Sequence, residues 1–227
     1  TSTDNRIFSD DSIVSGIGPA SRQTLTFGVL FMDTDLDGRQ DYLQVNGHVE
    51  PDIEKVQSSQ RYLQPLQLFW NCGVRCRQPF QLVSTFLPEL SLAGRGAAYA
   101  DIDEDGDLDL VVTQVGGRAI LLRNDQATQN HYVRIELRSN SGNIYGIGAV
   151  VRVEAGDLHQ RMTVMPTRGY LSQVETPVTF GLGDKDVIER VVVKWPSGST
   201  EEWRGVAIDR SHVLVKGTGT APPINPG

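Results

Sequence analysis

The sequence predicts an all-β protein built from two unlike halves. Three observations carry that expectation. An Asp-rich loop occurs twice in matching register, each time between short β-type runs. The second half is a succession of short alternating or apolar runs with no helical stripe. The 23 Gly and 11 Pro fall mostly between those runs, where turns are needed.

At 227 residues the chain is long enough for one large or two modest domains, and 39% hydrophobic with 22% charged residues is the balance of a globular protein with a core. The formal net charge is −7. That excludes general nucleic-acid binding, which needs a basic face to displace counterions from phosphates. Ten acidic residues lie in the two nine-residue loops, so the acidity is partly local and suits a cation. No stretch approaches the roughly 20 apolar residues that cross a bilayer. No signal peptide is visible at Thr1, as expected of a processed chain, a fragment or a truncated one, and the opening TSTDNRIFSDDS reads like the end of a preceding strand and turn. Cys72 and Cys76 are the only cysteines, with no second Cys or His pair to complete a zinc set. A short-loop disulfide in an oxidising compartment is the leading reading and two free thiols the other.

The repeat aligns GVLFMDTDLDGRQDYLQVN at 28–46 with GAAYADIDEDGDLDLVVTQ at 96–114, a gapless offset of 68 positions. Asp33, Asp35, Asp37 and Asp41 match Asp101, Asp103, Asp105 and Asp109; Gly28, Phe31 and Gly38 match Gly96, Tyr99 and Gly106. LFWN ending at Asn71 matches LLRN ending at Asn124. Asp41 to Asn71 spans 30 positions and Asp109 to Asn124 spans 15, so the first unit carries an insertion in NGHVEPDIEKVQSSQRYLQP. The flanks lack a 3.6-residue apolar period, which makes each unit strand, loop, strand.

The loop pattern D-x-D-x-D-G-x-x-D is chemistry for a hard cation. Carboxylates at positions 1, 3 and 5 converge when the chain turns tightly, and Gly at position 6 tolerates the positive φ the turn needs. Position 7 (Arg39, Asp107) offers a carbonyl oxygen, and the Asp at position 9 closes the shell. Five or more oxygen ligands suit Ca²⁺, with its six to eight, better than the tight octahedron of Mg²⁺. Without a cation the carboxylates repel, each pair by about 1–4 kcal/mol at effective dielectrics of 80 to 20. The candidate metal residues are Asp33, Asp35, Asp37, Arg39, Asp41, Asp101, Asp103, Asp105, Asp107 and Asp109, forming two Ca²⁺ sites; the first loop is the weaker motif because Arg39 and Gln40 stand where the second has Asp107 and Leu108. An EF-hand fails: it needs flanking helices and a Glu at position 12, where Gln44 and Val112 stand.

With its glycine five residues before DxDxDGxxD and its β flanks, the unit resembles the FG-GAP or VCBS repeat of integrin-type β-propellers over about residues 20–128. The resemblance implies that each repeat builds one blade and binds Ca²⁺ in its Asp loop. Only two blades are visible, and closed propellers have four to eight. The expectation is therefore an incomplete propeller, its remainder supplied by the same precursor or another chain.

From Asn130 onward HYVRIEL, AVVRVEAG, QRMTVMP, VTFGLG, ERVVVKWPSG and HVLVKG read as at least six short strands, which predicts an immunoglobulin-like β-sandwich. NHYVRIEL, GIGAVVRV, GYLSQ, FGLG and VKWPSG, in that order, resemble the ASPIC/UnbV domain over about 130–217. In that cartilage acidic protein-like family the domain follows FG-GAP repeats. The expected division is 1–128 for the two repeats, 129–217 for the sandwich, and 218–227 for a C-terminal tail or linker.

No HExxH, nucleophile elbow or phosphate loop is present. His131 and His212 stand at strand starts as structural residues, and His48 in NGHVEPD is a turn residue rather than a ligand or base. Trp70, Trp195 and Trp203 suit sugar stacking if exposed, although Trp195 in a β-run suits the core. No catalytic residue is assigned. The resulting expectation is a secreted, periplasmic or cell-surface calcium-binding module for adhesion, interaction or assembly, with a protein or glycan partner and no membrane span. The alternatives are a carbohydrate-active enzyme or its accessory domain, and a subunit of a larger extracellular assembly or filament.

Overall fold

The computed structural model describes residues 9–83, 90–125 and 128–222. The expected strand end at the N-terminus lies mostly outside them. Of that stretch, Ser12 opens a helix, α1 (Ser12–Ser15), followed by α2 (Ile17–Ser21). Glycine explains the break between them: Gly16 is left-handed at φ 94° and stands against Gln78 and the Phe80 carbonyl, where a side chain would not fit.

The rest is β-rich, with several sheets and, among the described residues, no closed barrel. The first sheet has the order β1-β2-β4-β5, from β1 (Thr26–Met32), β2 (Asp41–Asn46), β4 (Gln67–Asn71) and β5 (Phe80–Val83). The insertion of the first repeat contributes α3 (Ile53–Val56) and β3 (Gln64–Pro65), which pairs with β6 (Ser91–Leu92). The second sheet is β7-β8-β9, from β7 (Gly94–Ala100), β8 (Asp109–Gln114) and β9 (Ile120–Leu122). The aligned sequences take equivalent registers: Met32 faces Asp41 across one hairpin and Ala100 faces Asp109 across the other. Both first strands slip register near their N-terminal glycines, between Thr26 and Gly28 and between Gly94 and Ala97. The two sheets stack with β1 beside β7. Leu30, Met32, Leu43 and Val45 of the first bury against Tyr99, Leu110 and Val112 of the second.

The second half forms two further sheets, β13-β10-β16 and β12-β11-β14-β15. Their strands are β10 (His131–Arg138), β11 (Val150–Ala155), β12 (Leu158–Thr163), β13 (Val178–Gly183), β14 (Arg190–Lys194), β15 (Thr200–Trp203) and β16 (Arg210–Val215). β10 and β16 run parallel and the other pairs antiparallel. Val133, Ile135 and Leu137 of β10 and Val178, Phe180 and Leu182 of β13 share one core with Val151 and Val153 of β11 and Val191 and Val193 of β14. The strand period of two selects these inward faces. Trp195 is buried in that core, as its place in a β-run suggests.

The outward faces of β10 and β13 are not free. They meet the two Asp loops of the first half, so the halves are interlocked. Val174, from the second half, belongs to the core of the stacked repeat sheets. A hairpin closed by the Thr167–Gln173 bridge packs on β7: Ser172 and the Tyr170 carbonyl occupy the space a Cβ at Gly96 would need. Tyr170 also meets Phe27 edge-on at 5.1 Å.

Candidate metal centres

Each loop joins two antiparallel strands across eight residues and turns by the same backbone device. The fourth position is left-handed without being glycine (Leu36 at φ 57°, Glu104 at 63°), and the sixth is a left-handed glycine (Gly38 at 88°, Gly106 at 101°). The glycine was legible in the sequence. The strained fourth position was not, because nothing in a Leu or Glu announces φ > 0.

In the first loop the turn wraps its backbone around Asp33. The Asp37 N–H donates to Asp33 Oδ1 at 3.1 Å and the Gly38 N–H to Oδ2 at 2.9 Å. The Arg39 N–H donates to Asp37 Oδ1 at 2.9 Å, and the second loop repeats that bond from the Asp107 N–H to Asp105 Oδ1 at 3.2 Å. One carboxylate oxygen each from Asp33, Asp35 and Asp37 lies within 4.8 Å of the others, and the same holds for Asp101, Asp103 and Asp105. Two oxygens each about 2.4 Å from a shared Ca²⁺ stand at most about 4.8 Å apart, so both triads fit that ion.

The ninth-position aspartates hold each loop to the rest of its unit. Asp41 Oδ1 accepts the Asn71 N–H at 2.7 Å and Oδ2 the Thr34 N–H at 3.0 Å; Asp109 Oδ1 accepts the Asn124 N–H at 2.9 Å and Oδ2 the Ile102 N–H at 2.9 Å. They are buried clamps that tie the loop's start to the end of the third strand of each unit. The Asn71 side chain donates to the Gln40 carbonyl at 3.0 Å, and that of Asn124 to the Thr34 carbonyl at 2.8 Å. They stand outside the two close triads.

The side chains at the seventh position are also engaged. The Arg39 guanidinium pairs with Asp37, and its Nε donates to the Asn71 carbonyl at 2.7 Å. Asp107 is buried. In the second loop Arg123 lies 3.5 Å from Asp103, and Arg134 of β10 lies 3.8 Å from Asp101. Clustered carboxylates thus draw guanidinium groups to their rims.

Burial sets the electrostatics of both triads. Burial pushes the Asp33 carboxyl up to about 8, reinforced by Asp35 and Asp41 and opposed by the Gly38 N–H. Burial also raises Asp41, against the pull of the Asn71 N–H. In the second loop the Asp101 side chain is 4% exposed, and its Oδ1 is buried without a hydrogen-bond partner among the described residues. A carboxylate oxygen held so is costly unless a cation completes it.

The sequence ranks the first loop as the weaker motif, yet its triad is the more enclosed. Asp33 is buried with Asp35 and Asp37 half-buried, whereas Asp103 and Asp105 are exposed. Trp70, a candidate sugar platform, instead donates its Nε1–H to Asp35 at 2.9 Å. His48 accepts the Glu50 N–H at 3.0 Å and closes its own turn. His131 pairs with Asp209 at 2.8 Å, and His212 meets the Ala207 carbonyl at 2.8 Å. Cys72 and Cys76 form a disulfide around a 3-10 turn, Gly73–Arg75.

The glycine that the sequence reading did not assign to the site is Gly181 of FGLG. A Cβ there would fall on Asp33 Oδ2 and the Leu36 backbone, so only glycine lets β13 approach the first loop. The signal was an isolated glycine inside a strand, which marks close backbone approach.

With that contact in view, the second half can be placed among known proteins. Residues 139–221 match the family model described as ASPIC and UnbV. The ASPIC/UnbV match therefore takes in the paired sheets from β11 to β16, while β10, which touches the second Asp loop, precedes it. Among curated proteins the chain is similar to cartilage acidic protein 1 of Homo sapiens, at 32% identity over 109 residues, covering 46% of this chain and 16% of that protein. The Mus musculus protein of the same name is 31% identical over 127 residues, covering 54% and 19%. That of Xenopus tropicalis is 31% identical over 109 residues, covering 46% and 16%. The chain thus spans less than a fifth of the length of these relatives.

Proposed function

We propose that this chain is a calcium-binding extracellular module whose two Asp loops each hold one Ca²⁺, and that it serves protein interaction or assembly at a surface rather than catalysis. The observation that carries the reading is the pair of carboxylate triads in the same backbone turn, one with Asp33 pushed up to about 8 and the other with Asp101 Oδ1 buried and unpartnered. The disulfide suits an oxidising compartment, and relatives named for cartilage suit an extracellular setting. When bound, each ion supplies charge neutralisation and fixed geometry. The residues to hold it are Asp33, Asp35 and Asp37 in one loop and Asp101, Asp103 and Asp105 in the other.

The stacked sheets are read as neighbouring FG-GAP-type propeller blades and the paired sheets as an immunoglobulin-like sandwich. Phe31 supports the first part. Its repeat equivalent, Tyr99, is covered by the first sheet and 9% exposed, whereas Phe31 is 47% exposed. Repeating the same stacking step would cover the face that Phe31 shares with Tyr42 and Leu82, so further blades of the same precursor or of another chain are the partner proposed there.

The test is calorimetric titration of metal-free protein with CaCl₂, with melting curves in parallel. Two sites and a raised melting temperature are expected, with a weaker response to Mg²⁺. No heat and an unmoved melting curve would refute the reading.

A further inference from the structure

The two Asp loops share a fold, yet the C-terminal sheets engage them differently, and the repeat supplies its own control. The backbone carbonyls of the first loop are captured by the second half. The Asn130 side-chain N–H₂ donates to the Asp35 carbonyl at 2.7 Å, and the Thr128 hydroxyl to the same oxygen at 3.3 Å. The Gly183 N–H of β13 donates to the Leu36 carbonyl at 2.9 Å. Leu158 and Gln160 of β12 lie against Gly38, and Gln160 also bonds the Gly181 carbonyl. The fourth loop position records the difference: Leu36 is 3% exposed, while its counterpart Glu104 is charged and exposed. The second loop meets the C-terminal sheets through side chains, with the Tyr132 ring over Gly106 and Arg134 beside Asp101.

We infer that the first Asp loop is a cation-dependent joint: Ca²⁺ held by Asp33, Asp35 and Asp37 fixes the loop in the shape that β13 and residues 128–130 grip, so occupancy of this one site sets how firmly the two halves dock. The inference rests on the calcium reading above and adds that the two sites are unequal. The carbonyls of Asp35 and Leu36 belong to the short stretch of chain that joins Asp33 to Asp37. Releasing the carboxylates into mutual repulsion therefore moves the same backbone that Asn130 and Gly183 bind. Linkage makes the effect reciprocal: if the ion favours docking, docking must favour the ion by the same factor.

Two measurements on the full chain test this. The first follows exchange of the Gly183 amide by NMR as CaCl₂ is added to metal-free protein. Exchange should slow by about tenfold or more in the wild type and in Asp105→Ala, and should not respond in Asp37→Ala. The second needs no damage to a carboxylate. Asn130→Ala should weaken one of two calcium sites by about 5- to 150-fold and leave the other unchanged. Two calcium ions bound with Gly183 exchange unmoved, or both sites unaltered in Asn130→Ala, would overturn the joint while leaving calcium binding intact. A wild-type chain that binds no calcium would overturn both readings.

Discussion

Asp33 makes the metal-free protein sensitive to pH in an unusual direction. Its carboxyl is raised from 3.8 to about 8, first by burial and then by Asp35 and Asp41. A group raised on folding contributes stability that is fully present below its unfolded value and lost as pH rises through its folded one. Metal-free protein should therefore lose stability on going from about pH 5 to about pH 8. Those three units correspond to at most about 4 kcal/mol at about 1.36 kcal/mol per unit. With about 2–4 °C per kcal/mol for a chain of this size, the melting temperature should fall by up to about 8–16 °C. Asp41, raised by burial as well, acts with the same sign. On the proposed function Ca²⁺ would replace the proton on Asp33, so with saturating CaCl₂ the slope should vanish across that window. Differential scanning calorimetry of chelator-treated and calcium-loaded protein at several pH values reads both slopes. A metal-free melting temperature that is flat or rises between those limits would refute the reasoning, as would identical slopes with and without the ion.

Three other perturbations have defined outcomes. Asp101→Ala and Asp105→Ala should each reduce calorimetric calcium stoichiometry from two to one, because each removes a member of the second triad. Gly106→Ala meets a left-handed φ of 101° and the ring of Tyr132 at once, and should cost about 2–3 kcal/mol in urea unfolding. Arg134 grips Glu175 with both nitrogens, bonds Thr179 at 3.0 Å and lies beside Asp101, all of them largely buried. Arg134→Ala should cost about 3–5 kcal/mol by the same measurement, and Arg134→Lys should recover little, since an ammonium cannot reproduce the bidentate fork.

Much of this architecture was legible because it is local. The two Asp loops, their left-handed glycines and the hairpins around them follow from residue types at fixed spacing, and matching registers fold alike wherever they sit. The two cysteines allowed a short-loop disulfide or two free thiols, and the fold decides for the disulfide. Val133, Ile135 and Leu137 point inward as strand alternation requires. α1 and α2 were not foreseen, since helices of four and five residues are too short to show a period.

What the chain alone determined is the grouping of carboxylates: two sets placed by sequence spacing in a turn that glycine permits. Tertiary structure decided how the sets differ. Burial of Asp33 depends on β13, more than 140 positions away, and on Gly181 leaving it room. The motif strength written in residues 33–41 therefore ranks the first loop lower, while desolvation makes it the more enclosed. Likewise the backbone N–H groups that Asp41 and Asp109 accept come from Asn71 and Asn124, in segments the loop sequence does not contain. Electrostatic demand depends on what surrounds a charge, and those surroundings are assembled only when distant strands pack.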